Sequence, residues 1–151
     1  LEFLDAVLDG IVDHQYTSKN GYTVSDLRNL RYNVGKAYDS LSEEYQIAFD
    51  RIVIQVNSLF TLAEVKQDLA ENEYQFRNSD DLRKIKQEAE KAYAVLPRQS
   101  FDAKEFNGLI AQLDDMINDA DPLVSLRGLI AESEINLASA AYYNQTPKNK
   151  R

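Results

Sequence analysis

His14 is the only histidine in the chain and cysteine is absent. Those two facts exclude a metal site built on paired imidazoles or thiolates, an iron–sulfur cluster, a cysteine nucleophile and the HExxH zinc motif. A histidine placed where a helix is expected to end interacts favourably with the free carbonyls of the last turn, and the position of His14 predicts that role. Serines are numerous, but one distant histidine gives a hydrolase triad no support. The densest carboxylate group is Asp114, Asp115, Asp119 and Asp121. Paired carboxylates bind calcium or share a proton, yet the glycine and glutamate that an EF-hand loop needs at its sixth and twelfth positions are missing. The group reads as a solvated helix end, and Glu132 and Glu134 as an exposed face. The glycines at 10, 21, 35, 108 and 128 are isolated, so there is no phosphate-cradling loop. No catalytic, cofactor-binding or metal-ligating residue is predicted, and the chain reads as non-enzymatic.

Nine tyrosines without a tryptophan are the one unusual feature of composition. Tyr32, Tyr38, Tyr45, Tyr74, Tyr93, Tyr142 and Tyr143 can each bury a ring and keep the hydroxyl wet, which suits helix boundaries and also suits recognition of sugars or proteins. Packing is the expected role. For a partner-binding patch, the pair Tyr142 and Tyr143 is the candidate.

The elements that would position these groups are helices. Five glycines and three prolines in 151 residues leave few breaks, and apolar residues recur at three- and four-residue spacing nearly throughout. The β-branched run at 52–56 belongs to the stripe Tyr45, Phe49, Ile52, Val56, which is one helix face. A Ser, Thr, Asp or Asn followed three residues later by an acid marks a helix start. Thr23 with Asp26, Ser40 with Glu43, Thr61 with Glu64, Asn78 with Asp81 and Asp102 with Glu105 fit, as does Asp121 before Pro122. With the opening segment, seven helices are predicted: 1–16, 23–39, 41–57, 61–76, 79–95, 102–118 and 122–141. Gly35, Gly108 and Gly128 fall inside them, where each costs about 1 kcal/mol against alanine, and close helix crossings are expected there. Residues 144–151 carry basic groups without apolar periodicity and are expected to form a frayed tail or a linker.

A formal net charge of −8 disfavours nucleic acid as a partner. No run approaches the roughly 18 apolar residues of a membrane span. The acidic opening is unlike a signal peptide. Leu1 begins within an amphipathic pattern, so a processed or excised fragment is expected, with any export signal or anchor outside it.

The chain also repeats. Asp26-Leu27-Arg28, Leu30, Val34, Lys36-Ala37-Tyr38 and Leu41 align without a gap on Asp81-Leu82-Arg83, Ile85, Ala89, Lys91-Ala92-Tyr93 and Leu96, at an offset of 55. Further on, Ser58–Leu62 aligns on Pro122–Leu126 at an offset of 64. The repeat predicts two stacked three-helix bundle units of short antiparallel helices, at 21–77 and 78–143, after a leading helix at 1–20 that ends a preceding unit.

Thr23-Val24, Ala37-Tyr38-Asp39-Ser40-Leu41-Ser42, Glu43-Glu44 and Leu62-Ala63-Glu64 together resemble a helical repeat of surface-layer and cell-wall-anchored proteins of Gram-positive bacteria, over about fifty residues. The second copy, through the stretch from Glu88 to Ile117, is similar to the FIVAR modules of adhesins and sugar-active enzymes. It lacks their Tyr-Thr before the second helix and their alanine-rich second helix. The resemblance implies a non-catalytic structural or spacer module of a secreted or surface-displayed multi-domain protein, with neighbouring modules of the same polypeptide as partners. The alternatives are a binding module for cell-wall polymer, host glycan or host protein, and an intracellular helical adaptor. The resemblance carries over no site residue.

Overall fold

The structure is a computed structural model that describes residues 1–121. Five α-helices follow one another: α1 (Glu2–Val12), α2 (Val24–Asp39), α3 (Glu43–Ala70), α4 (Ser79–Ala94) and α5 (Ala103–Ala120), with one turn of 3₁₀ helix at Ser18–Asn20. The fold is all-α, as the periodicity predicts, with no strand among the described residues. The helix predicted at 122–141, the 64-residue alignment, Gly128 and the tail at 144–151 lie outside the described residues.

Three predicted starts act as caps. Thr23 and Asp26 form a reciprocal capping box at α2, Asn78 accepts from the Asp81 amide at α4, and Asp102 accepts from the Lys104 and Glu105 amides at α5. Two do not. Ser40 donates its hydroxyl to the Ala37 carbonyl behind it, and α3 begins two residues later from Ser42, whose side chain makes no cap bond. Thr61 lies inside α3 and donates to the Asn57 carbonyl one turn back. The two helices predicted at 41–57 and 61–76 are therefore one helix of 28 residues, about 42 Å long at the usual rise. No glycine or proline interrupts it, and a Thr-x-x-Glu pattern fits a helix interior as well as a helix start.

The helix ends fall short of prediction where the backbone turns left-handed. His14 has φ 61° and Asn72 has φ 57°. After each, paired bonds close a Schellman motif: the His14 and Gln15 amides donate to the Ile11 and Gly10 carbonyls, and the Asn72 and Glu73 amides to those of Leu69 and Asp68. Thus α1 stops at Val12 rather than 16, and α3 at Ala70 rather than 76.

The core explains the length of α3. Its first half packs with α1 and α2, through Leu4, Val7, Ile11, Leu27, Val34, Ile52, Val56, Leu59 and Phe60. Its second half packs with α4 and α5 in two adjoining clusters, one holding Leu62, Ala89, Ala92, Phe101, Phe106 and Leu109, the other Val65, Leu82, Leu113 and Ile117. Leu62 and Ala63 are neighbours in sequence but belong to different clusters. The leading helix is the third member of the first bundle, and α3 is common to both.

The 55-residue repeat is carried by α2 and α4, each of 16 residues. Val24, Leu27 and Val34 are buried, and so are Ser79, Leu82 and Ala89 at the same offsets. The glycine expectation fails at Gly35 and Gly108. A methyl group on either would meet nothing within 4 Å, so neither marks a close crossing. The close approach is at Gly10, where a methyl carbon would lie 2.5 Å from Cε2 of the Tyr16 ring.

Candidate functional site

Three places gather polar or exposed apolar groups beyond what packing requires. The first clamps the two bundles together. His14 Nδ1 lies 3.0 Å from the Ser100 hydroxyl, which donates to the Ile11 carbonyl at 3.2 Å. Because the serine's only hydrogen is committed to that carbonyl, the histidine donates from Nδ1. Nearby, Ser18 donates to Glu105 Oε2 at 2.6 Å, while Lys66 forms an ion pair with Glu105 Oε1. The segment after α1 is thus tied to the start of α5, and α5 to α3. Ser100 is buried, which removes its hydroxyl from reach of a substrate. His14 lies just past the end of α1, and its ring contacts Ser100 at the joint between the bundles.

The second place is a basic and aromatic face on α2. Arg28, Arg31, Tyr32, Gly35, Lys36 and Asp39 line a shallow depression of about 330 Å³. The Arg31 guanidinium lies 3.9 Å from the centroid of the buried Phe60 ring, with Arg28 further out at 5.9 Å, and Lys36 lies over Tyr32. None of these three cations is ion-paired among the described residues.

The third place is an apolar groove of about 520 Å³ bordered by Leu8 and Val12 of α1, Arg51, Ile54 and Gln55 of α3, and Ala94 to Pro97 at the end of α4. Gln55 is 3% exposed. Its Nε2 donates to the Val95 carbonyl at 3.4 Å, while its Oε1 is buried without a hydrogen-bond partner among the described residues.

The acidic group singled out in the sequence does not converge. Asp114 pairs with Lys86 at 2.6 Å, Asp121 pairs with Arg83, and the described residues contain no group of three or more metal-ligating side chains. The bond to Asp114 raises the Lys86 pKa. Tyrosines divide as their amphipathic rings allow. Tyr74 is buried and donates to Asp68 at 2.9 Å, and burial with that bond pushes its hydroxyl above the ordinary tyrosine range. Tyr93 stacks on Phe106, Tyr16 meets Tyr22 edge-on, and Tyr32 and Tyr45 are exposed. The candidate pair Tyr142 and Tyr143 lies outside the described residues. Arg28, Arg31 and Lys36 were not singled out from the sequence, although Arg28 lies three residues from Arg31 and four from Tyr32, and Tyr32 four from Lys36, spacings that mark neighbours on a helix surface.

The fold defines an all-α protein of two bundles joined by a common helix, and no helix among the described residues is long and apolar enough to cross a membrane. Comparison with protein-family models, curated proteins and solved structures returned no match.

Proposed function

We propose that the chain is a non-catalytic spacer module of a secreted or surface-displayed bacterial protein of the surface-layer or cell-wall kind, holding its neighbouring modules at a set separation. The observation that carries this reading is the continuity of α3 through both bundles. A spacer must keep its length and transmit load, and a helix of about 42 Å shared by two cores does both. The clamps at His14–Ser100 and Ser18–Glu105 add cross-links between the bundles. Single-molecule pulling of the chain in a tandem array tests it. One force peak per copy is expected, whereas separate peaks for the two bundles refute a single rigid strut.

The basic face of α2 favours a second reading, a binding module for an anionic cell-wall polymer or glycan, with Tyr32 as a stacking surface beside three cations. Purified chain is titrated against Gram-positive cell walls, secondary wall polymer and a glycan panel. Arg31→Glu and Lys36→Glu variants and the Tyr142→Ala/Tyr143→Ala double variant are run alongside. Saturable binding weakened by the charge reversals supports this reading, loss in the tyrosine variant moves the site to the C-terminal pair, and no binding leaves the spacer.

A further inference from the structure

The core of the second bundle is open at the end where α5 finishes. Leu69, Met116 and Ala120 pack on the margin of its last cluster and are only partly buried. With Tyr74 and Leu82 they line a groove of about 400 Å³, rimmed by Asn72, Arg77 and Asp119. Phe76 sits between two residues that line this groove, Gln75 and Arg77, and is 94% exposed. An open apolar groove with a bare aromatic ring beside it marks a surface that something covers.

The chain itself starts at the groove's edge. Ala120 lines the groove and Asp121 is held by its ion pair with Arg83, which fixes the point where the chain leaves α5. The thirty residues that follow open with Pro122-Leu123-Val124-Ser125-Leu126. Leu123 and Leu126 are three and six residues beyond Ala120, so by any path they lie within roughly 10 and 20 Å of it. Charge separates this occupant from a second copy. The end of α3 and the loop after it carry Asp68, Glu71 and Glu73 against Arg77, and the last turns of α5 carry Asp115 and Asp119 with no cation. Asp80 and Asp81 at the start of α4 are balanced by Arg83 and Lys84. This end is therefore net acidic and would repel its own copy, whereas residues 122–131 hold one charge, Arg127, and no acid. We propose that Leu123 and Leu126 fill this groove, so that the segment after α5 completes the core of the second bundle.

The test uses Met116, the chain's only methionine, which lines the groove. Carbon-13 labelling of methionine methyl groups gives the 151-residue chain a single methyl signal. Leu123→Met and Leu126→Met, which conserve volume, each add a second signal. A nuclear Overhauser cross-peak between the two methionine methyl groups is expected in at least one of these variants, at concentrations where sedimentation shows a monomer. Leu123→Ala and Leu126→Ala are expected to shift the Met116 signal while helical circular dichroism stays unchanged. No cross-peak in either methionine variant, with the Met116 signal unmoved in both alanine variants, overturns the proposal. Cross-peaks that appear only as the concentration rises and the chain dimerises also overturn it and give the groove to a second copy.

Discussion

The His14 ring lies 3.0 Å from the Ser100 hydroxyl across 86 residues of sequence, and that hydroxyl also caps a carbonyl in the last turn of α1. One buried serine therefore joins the first bundle to the loop between α4 and α5 of the second. Ser100→Ala removes one of two donors to the Ile11 carbonyl, which keeps the His14 amide, and is expected to cost about 0.5–1.5 kcal/mol. In a double-mutant cycle with His14→Ala, measured by urea unfolding, a coupling of at least about 0.5 kcal/mol is expected. Strict additivity would show that the two side chains do not act together.

Gly10 and Gly35 are both helical, and the same substitution should act on them in opposite directions. Gly10→Ala drives a methyl group into the Tyr16 ring, which is held by the core and by Tyr22. A net loss of about 1–3 kcal/mol is expected, of the size seen for overpacking. Gly35→Ala meets open space and is expected to gain about 0.5–1 kcal/mol. Thermal unfolding of the two variants checks both signs.

Thr23 and Thr61 have the same sequence signature and different jobs. Thr23→Ala removes a side-chain cap and should cost about 1 kcal/mol. Thr61→Ala, inside α3, should stay within about 0.5 kcal/mol of the parent. Asn57→Pro, at an exposed position beside the junction, should cost about 3 kcal/mol or more and separate the unfolding of the two bundles. A single transition of unchanged midpoint in that variant would mean that α3 does not couple them.

Alkaline unfolding should report on Tyr74. Its pKa is raised in the folded protein by burial and by the bond to Asp68, whereas the unfolded chain ionises near about 10. Below that value both states keep the proton and the contribution is complete. Above it the unfolded state releases the proton first, so stability falls as pH rises. Tyr74→Phe should lose stability at neutral pH and show a shallower decline above pH ~10. An unchanged slope would exclude this hydroxyl as a source of the decline.

What the sequence discloses depends on how local the cause is. The caps at Thr23, Asn78 and Asp102 lie within three residues of their partners, and all three were readable. The 55-residue repeat was readable because α2 and α4 bury the same offsets. The break assigned at 57–61 failed for a non-local reason. Leu59 and Phe60 face one core while Leu62 faces another, so the apolar stripe widens at that point and resembles two helix ends. His14 and Asn72 ended helices early through a left-handed conformation that glycine would have announced and these residues did not. Nothing in the spacing of Ser100 foretold its contact with His14, since that contact exists only once the bundles are stacked. The basic face of α2 was visible as spacing, but its relation to the Phe60 ring required the packed structure.

A helix that belongs to two cores leaves no seam at which the protein can be divided. Severing the chain in the loop after α3 would strip Leu62 and Val65 of their cover on one fragment and expose Leu82, Leu109 and Leu113 on the other. Neither half is a cassette that recombination could move to a new host sequence by itself. Each fragment made alone is expected to expose those side chains to water and to fail to fold.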